Sequence, residues 1–262
     1  MRNSRIEKDE GGALRMKLVP LRNLPIITSS QMRKADRLMT DELGISLVQM
    51  MENAGRSLAQ LTLELYEPKS VTVLSGRGGN GGGGLVAARH LVNRGVDVEV
   101  VVPMPRDGMN STTKLQFDAL AKMGIDILPW PRGHRRSEVI VDALIGYSLS
   151  GNPKGSIADL IVWANKSNSP IISLDVPSGF DAEAGIALAL CIQAEATLTI
   201  AAPKKGLFGL PQTGRLFLAD ISVPTSIFAK WGYGDTDYFD GNWIVEVVNP
   251  VLSAPQIKDA IP

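Results

Sequence analysis

Four side chains with oxygen to offer lie just beyond apolar runs that read as strands. Asn80 falls in "SGRGGNGGGG", Asp142 in "VIVDALIG", and Asp175 and Ser178 in "IISLDVPSGF". Carboxylate, amide and hydroxyl oxygens suit a hard cation, and no nearby His or Cys would select zinc or iron. A carboxyl group partly buried at a strand end also has its proton affinity raised, which lets it give or take a proton near neutrality. Either acid alone also reads as a capping or salt-bridging group. Together, facing one crevice from separate strands, they point to a site.

Opposite them stands a run of seven glycines within nine residues, Gly76 to Gly84. It follows an apolar strand and opens a helix, so its backbone amides and the positive helix terminus form an anion cradle for phosphate. A flexible turn is the plain alternative, but such linkers do not usually join a strand to a helix. Gly76, Gly78 and Gly81 also satisfy G-x-G-x-x-G, the dinucleotide fingerprint, which is weak on its own. A nucleotide-dependent dehydrogenase would need an acid at the end of the second strand; Asp97 and Glu99 lie at the start and middle of "VDVEVVVP" instead. A P-loop is excluded because no Lys-Ser or Lys-Thr follows the glycines.

The elements that must position these residues are legible in the hydrophobic period. Ser29 or Ser30 can cap a helix whose Met32, Ala35, Met39 and Leu43 share a face until Gly44 interrupts. A second helix carries Leu47, Met50, Met51, Ala54, Leu58, Leu61 and Leu65 and ends near Pro68, its methionines reading as core filler. Strands then alternate with helices: "VTVLSG", "LVAARHLVNRG", "VDVEVVVP", "TTKLQFDALAKMG", "IDILPW", "EVIVDALIG", "SIADLIVWANKS" and "PIISLDVP". Two further apolar runs, "ATLTIAAP" and "RLFLADISVP", complete the series. That order predicts an α/β fold, a three-layer, doubly wound, mainly parallel sheet of Rossmann-like type, with ligands beyond the carboxyl ends of its strands. One domain is expected over 26–224, with a flexible tail over 1–25 and an extension over 225–262 whose role is unread.

Composition removes other classes. With 27 basic and 27 acidic side chains there is no electrostatic footprint for nucleic acid. The six Lys and Arg before Pro25 are interspersed with Glu7, Asp9 and Glu10 and read as a solvated tail. A single cysteine, Cys191, rules out an internal disulfide framework and reads as a packed thiol. Two histidines, His90 and His134, make a zinc site improbable. No apolar run is long enough to span a membrane and no secretory h-region opens the chain, so a cytoplasmic location is expected.

The motifs "QMRKADRLMTDELGISLVQMMENAG", "SGRGGNGGGGLVAARHL", "VDALIGYSLSG", "LDVPSGFDAEAG" and "AAPKKGLF", in this order and spacing from about Ile27 to Pro224, resemble the NAD(P)H-hydrate epimerases. The resemblance implies a Rossmann-like homodimer that interconverts the C6 epimers of hydrated NADH or NADPH for a separate dehydratase to repair. It implies one potassium ion per subunit held by Asn80, Asp142 and Ser178. It implies substrate contacts from Gly79, Asn80, Gly81, Gly82 and Gly83, from Gly146, Tyr147, Ser148, Leu149, Ser150, Gly151 and Asn152, and from Asp175, to which proton delivery is assigned. The family's loop normally reads N-N-G-G-D-G, whereas Gly79 and Gly83 here replace its first Asn and its Asp, a change that implies weakened activity or an altered substrate. Many bacterial members carry a fused dehydratase domain that this sequence lacks. A non-catalytic module binding dinucleotide or serving an RNA-related scaffold is the alternative on the same fold.

Overall fold

A short strand, β1 (Leu18–Pro20), opens the first described stretch. Thr28 then starts α1 (Ser29–Arg37) with a capping box closed by Gln31. The cap is thus one residue earlier than the Ser29 or Ser30 expected, and the Ser29 hydroxyl donates to Glu183 instead. The helix does not run straight to Gly44: it widens into a π turn over Leu38–Glu42 before Gly44 takes φ +66°. Ser46 and Gln49 form a second capping box for α2 (Leu47–Tyr66), which stops at a left-handed Glu67 just before Pro68.

Beyond α2, strands and helices alternate in the computed structural model, which describes residues 16–131 and 136–249. They are β2 (Ser70–Ser75), α3 (Gly79–Val92), β3 (Asp97–Val102), α4 (Ser111–Lys122), β4 (Ile127–Pro129), β5 (Val139–Ala143), α5 (Gly155–Lys166) and β6 (Ile171–Leu174). A two-residue hairpin, β7 (Phe180–Asp181) and β8 (Ile186–Ala187), precedes β9 (Ala196–Ile200), β10 (Arg215–Ala219), α6 (Thr225–Ala229) and β11 (Ile244–Val248). The main sheet has the order β1-β11-β10-β9-β6-β5-β2-β3-β4. Every neighbouring pair is parallel except β10 with β11.

The period of two sorts the strand residues between faces. Val71, Val73, Val139, Val141 and Ala143 pack with Leu58 and Leu61 of α2 and Leu85 and Ala88 of α3. Leu74, Ile140 and Leu144 pack on the other side with Leu160, Ile161 and Ala164 of α5. The expected three-layer, doubly wound architecture is therefore present.

Its borders are wider than the expected 26–224. Leu18–Pro20 and Ile244–Val248 are strands of the same sheet, β1 pairing with β11 and β11 with β10, and Lys17 forms an ion pair with Asp240 at 3.1 Å. The reason is pairing at a distance: the edge of β10 supplies the partner of β11, and β11 in turn that of the three-residue β1. Residues 1–15, His134 and the stretch from 250 onward lie outside the described residues.

The third helix also begins earlier than its apolar pattern suggested, inside the glycine run. Glycine costs about 1 kcal/mol relative to alanine in a helix, so close packing must offset it. A Cβ on Gly84 would lie 2.6 Å from the Ala143 Cβ, and one on Gly55 of α2 would lie 2.5 Å from the Gly83 carbonyl oxygen. Bare backbone lets α3 settle onto both β5 and α2.

Candidate functional site

Chain direction across the sheet reverses between β2 and β5. After β2 the chain enters α3 on one face; after β5 it proceeds to α5 on the other. A crevice must open where the two loops part. At its floor the loops touch: Gly76 N–H donates to Ala143 O at 3.0 Å, and a Cβ on Gly76 would fall 1.8 Å from Leu144 O. Above this contact lies a cavity of about 740 Å³, within the size range of small-molecule sites. Its walls are Arg77 to Asn80 and Gly83 on one side, Leu144 to Ser150 on another, Leu174 and Asp175 from the end of β6, and Met32, Asp36, Met50, Met51 and Ala54 from α1 and α2. Met50 and Met51, expected to be core filler, are buried yet face this cavity, as does Met32 of α1.

One wall of the cavity is rich in donors. The first residues of α3 have no intrahelical acceptor for their amides, no side chain caps them, and Arg77 stands at the rim. This is the cradle expected of the glycines, but only part of the run forms it. Gly78, Gly79 and Gly83 line the cavity, whereas Gly81 lies against the Gly76 backbone and Gly82 against the Met51 sulfur.

A neighbouring wall is ionic. Asp175 takes φ +68° immediately after β6, a left-handed conformation that Asp tolerates better than most residues and that strained sites often use. Its N–H donates to Leu198 O at 2.7 Å, its Oδ2 accepts from the Tyr147 N–H at 3.0 Å, and its Oδ1 forms an ion pair with Lys204 Nζ. Lys204 is buried; its ammonium also donates to Ile200 O at 2.8 Å and Thr199 Oγ1 at 3.4 Å. This lysine carried no role in the sequence reading. It is drawn inward because Ala201, with φ +63°, turns the chain after β9 and Ile27 is zipped beside Lys204 through Ile27 N–H to Pro203 O and Lys205 N–H to Ile27 O.

The same zipper seats α1, and with it a second carboxylate that sequence reasoning missed. Asp36 Oδ2 accepts from the Tyr147 hydroxyl at 2.5 Å. Burial raises the Asp36 proton affinity above the ordinary carboxylate range, against the pull of the Tyr147 hydrogen bond and the Lys204 charge. Burial and the Asp36 charge likewise push the Tyr147 hydroxyl far above its usual range.

Asp142 is fully buried beneath these groups, on the α5 side of β5. Its four acceptor positions are met by Ser178 N–H at 2.8 Å, Ser173 Oγ–H at 2.8 Å, Ser178 Oγ–H at 2.6 Å and Leu144 N–H at 3.2 Å. Burial raises its proton affinity while the Ser178 hydrogen bonds lower it, and no Lys, Arg or His pairs with it among the described residues. An ionised carboxylate so placed calls for a counter-cation. The donors fit one. The Ser178 hydroxyl has Ile145 O at 3.3 Å as a second acceptor, so it can turn and free an Asp142 oxygen. The Asn80 amide nitrogen is buried with no hydrogen-bond partner among the described residues, leaving that side chain free to reorient. A Cβ on Gly146 would stand 3.2 Å from Asn80 Oδ1 and 3.1 Å from Asp175 Oδ2, so these two side chains adjoin across a bare glycine.

Among the residues singled out by sequence, Gly79, Asn80, Gly83, Gly146, Tyr147, Ser148, Leu149, Ser150 and Asp175 border the cavity. Asp142 and Ser178 bond each other below it. Gly81 and Gly82 serve packing, and Gly151 and Asn152 continue the loop outside the cavity wall. Cys191 is a buried thiol that burial pushes up to about 12.

These features define an α/β protein with a small-molecule site at the switch point of a doubly wound sheet. Residues 47–206 match the family described as YjeF-related protein N-terminus. The NAD(P)H-hydrate epimerase of Dehalogenimonas lykanthroporepellens is 46% identical over 212 residues, covering 79% of this chain and 85% of that protein. The NAD(P)H-hydrate epimerase of Plasmodium vivax is 34% identical over 78% of this chain and 73% of its own length. The bifunctional NAD(P)H-hydrate repair enzyme of Hyperthermus butylicus is 37% identical over 75% of this chain, but only 38% of that longer protein is covered. The crystal structure of yeast ynu0, YNL200c, superposes with a TM-score of 0.73 at 26% identity, covering 85% of this chain and 100% of the yeast chain. The chain belongs to the NAD(P)H-hydrate epimerase family. No helix among the described residues is long and apolar enough to cross a membrane.

Proposed function

We propose that this protein is an epimerase that interconverts the C6 epimers of hydrated NADH and NADPH. The observation that carries the reading is the cavity itself, lined both by the unpaired helix amides with Arg77 and by Asp175, whose buried partner is Lys204. A dinucleotide has matching groups: its pyrophosphate suits the amides, and its hydrated ring suits the ion-paired carboxylate. A scaffold would have no use for a buried ion pair facing an open cavity.

The chemistry follows from the ring. Protonation of the C6 hydroxyl lets it leave as water while the ring nitrogen lone pair forms a C=N bond, and water returning to the opposite face restores the hydrate with inverted C6. Asp175, its charge balanced by Lys204, handles a proton at the reacting oxygen, and the Tyr147 N–H fixes the carboxylate. Asn80, Asp142 and Ser178 would hold potassium, which supplies a fixed positive charge beneath the loops. The absence of the family's Asn and Asp at Gly79 and Gly83 leaves ligand contacts there to backbone, and we expect a lower catalytic efficiency for it. A homodimer located in the cytoplasm, working with a separate dehydratase and without nucleic acid or membrane, completes this reading.

The test is a coupled assay on mixed NADH-hydrate epimers with an epimer-specific dehydratase. The unreactive epimer should be consumed faster with this protein than in buffer; equal rates would refute the enzymatic reading.

A further inference from the structure

An epimerase accepts both epimers, so its leaving hydroxyl departs from one face of the ring in one direction and from the other face in reverse. Each face therefore needs a group able both to give and to take a proton. Asp175 projects from the end of β6 and serves one. The cavity contains another carboxylate on a different wall, Asp36 of α1. Tyr147 ties the two together: its backbone N–H donates to Asp175 Oδ2 and its hydroxyl to Asp36 Oδ2. Two carboxyl groups on different walls, one giving a proton while the other handles water, work this way in glycoside hydrolysis.

We propose that Asp36 is the second proton-transfer group of the site, acting on the ring face opposite Asp175, with the Tyr147 hydroxyl holding its carboxylate in place. The assignment rests on the epimerase reading. In one direction the Asp36 carboxyl protonates the C6 oxygen, the C–O bond breaks and water leaves, and the nitrogen lone pair forms the C=N bond. Water then adds from the Asp175 side, forming the new C–O bond and losing a proton to Asp175. The reverse reaction exchanges the two roles. One proton has passed between carboxylates, and solvent returns it after release.

The electrostatics divide the two roles. Asp175 has its own cation in Lys204, whereas Asp36 shares the field of Lys204 with Asp175 and receives only a neutral hydroxyl. The charged and titratable groups acting on this pair are Asp175 after β6, Lys204 after β9, Tyr147 after β5 and Arg33 on α1 itself. Burial keeps Asp36 protonated to higher pH than an ordinary aspartate, which suits a donor.

The experiment measures kcat and KM against pH for wild type, Asp36→Asn, Asp36→Glu and Tyr147→Phe, with melting curves to show that each folds. Loss of a general acid–base group should lower kcat of Asp36→Asn by about 10²–10⁴-fold with KM little changed and the alkaline limb of the profile gone. Asp36→Glu should recover part of the rate. Tyr147→Phe should move that limb to higher pH, because the carboxylate loses the hydrogen bond that favours its charged form. Wild-type kcat and pH profile in Asp36→Asn, or an equal loss at every pH in both Asp36 variants, would overturn the assignment while leaving the epimerase reading intact. A wild-type protein without epimerisation would overturn both.

Discussion

Lys204→Met isolates the buried ion pair. The substituted side chain keeps the length of the aliphatic stem, so the space stays filled while the ammonium disappears. Asp175 is then left 1% exposed with its charge uncompensated. Breaking a buried pair by removing one partner costs about 3–5 kcal/mol. For a chain of this size each kcal/mol lowers Tm by about 2–4 °C, so a fall of about 6–20 °C is expected near neutral pH. The double variant Asp175→Asn, Lys204→Met removes the stranded charge and should melt above the single variant. Asn also tolerates the φ +68° at that position. Recovery stays incomplete, because Ile200 O loses the donor it had at 2.8 Å, and an unsatisfied buried acceptor costs about 1–3 kcal/mol. The assay is thermal unfolding by circular dichroism of wild type, both single variants and the double variant, analysed as a cycle. A Lys204→Met protein that melts with the wild type, or a double variant no more stable than Lys204→Met, would show that the pair does not hold the site.

Three other perturbations test separate parts of the account. Gly83→Asp restores the acid the family carries; its Cβ would meet Leu174 Cδ2 at 2.6 Å, so overpacking should cost about 1–3 kcal/mol, while a charged hydrogen bond to substrate should raise kcat/KM about tenfold to a hundredfold, and unchanged kinetics in the folded variant would mean that backbone amides alone hold the ligand. Melting should rise with potassium more than with equal tetramethylammonium, by about 2.7 kcal/mol at a hundred times Kd, and Asp142→Asn should remove the difference; identical curves for wild type in both salts would exclude the cation. Burial raises the proton affinity of Glu52, but its bonds to His90 and Arg89 outweigh that, and its pKa lies below the ordinary 4.5. The folded state thus binds fewer protons, so the contribution is full above about pH 4.5 and lost as pH falls through the lowered value. With Glu52 40% exposed it should stay under about 1 kcal/mol, and a stability gap to Glu52→Gln that is the same at pH 3 and pH 7 would contradict it.

What the sequence determined by itself is the frame. Strict alternation of apolar strands and amphipathic helices from Val71 onward specifies a doubly wound sheet, because period and connection length leave few other topologies. The frame in turn puts Asn80 and Asp175 beyond strand ends and Asp142 near the end of its strand, where a switch point opens. Tertiary structure decided the rest, for reasons local pattern does not carry. Gly81, Gly82 and Gly84 look like loop residues by propensity, yet the Gly76 backbone, α2 and β5 respectively approach so closely that only bare backbone fits and the run becomes helix. Leu18–Pro20 and Ile244–Val248 stand apart from the alternating series and become strands because β10 offers its edge to β11 and β11 offers its own to β1. Lys204 and Lys205 are neighbours of identical type, and only the turn at Ala201 and the pairing with Ile27 bury the first and expose the second. Asp36 reads as one more polar residue on an amphipathic helix. It faces Tyr147, Lys204 and Asp175 only because that long-range pairing seats α1 over the cavity, and contacts between residues more than a hundred positions apart leave no periodic trace in the chain.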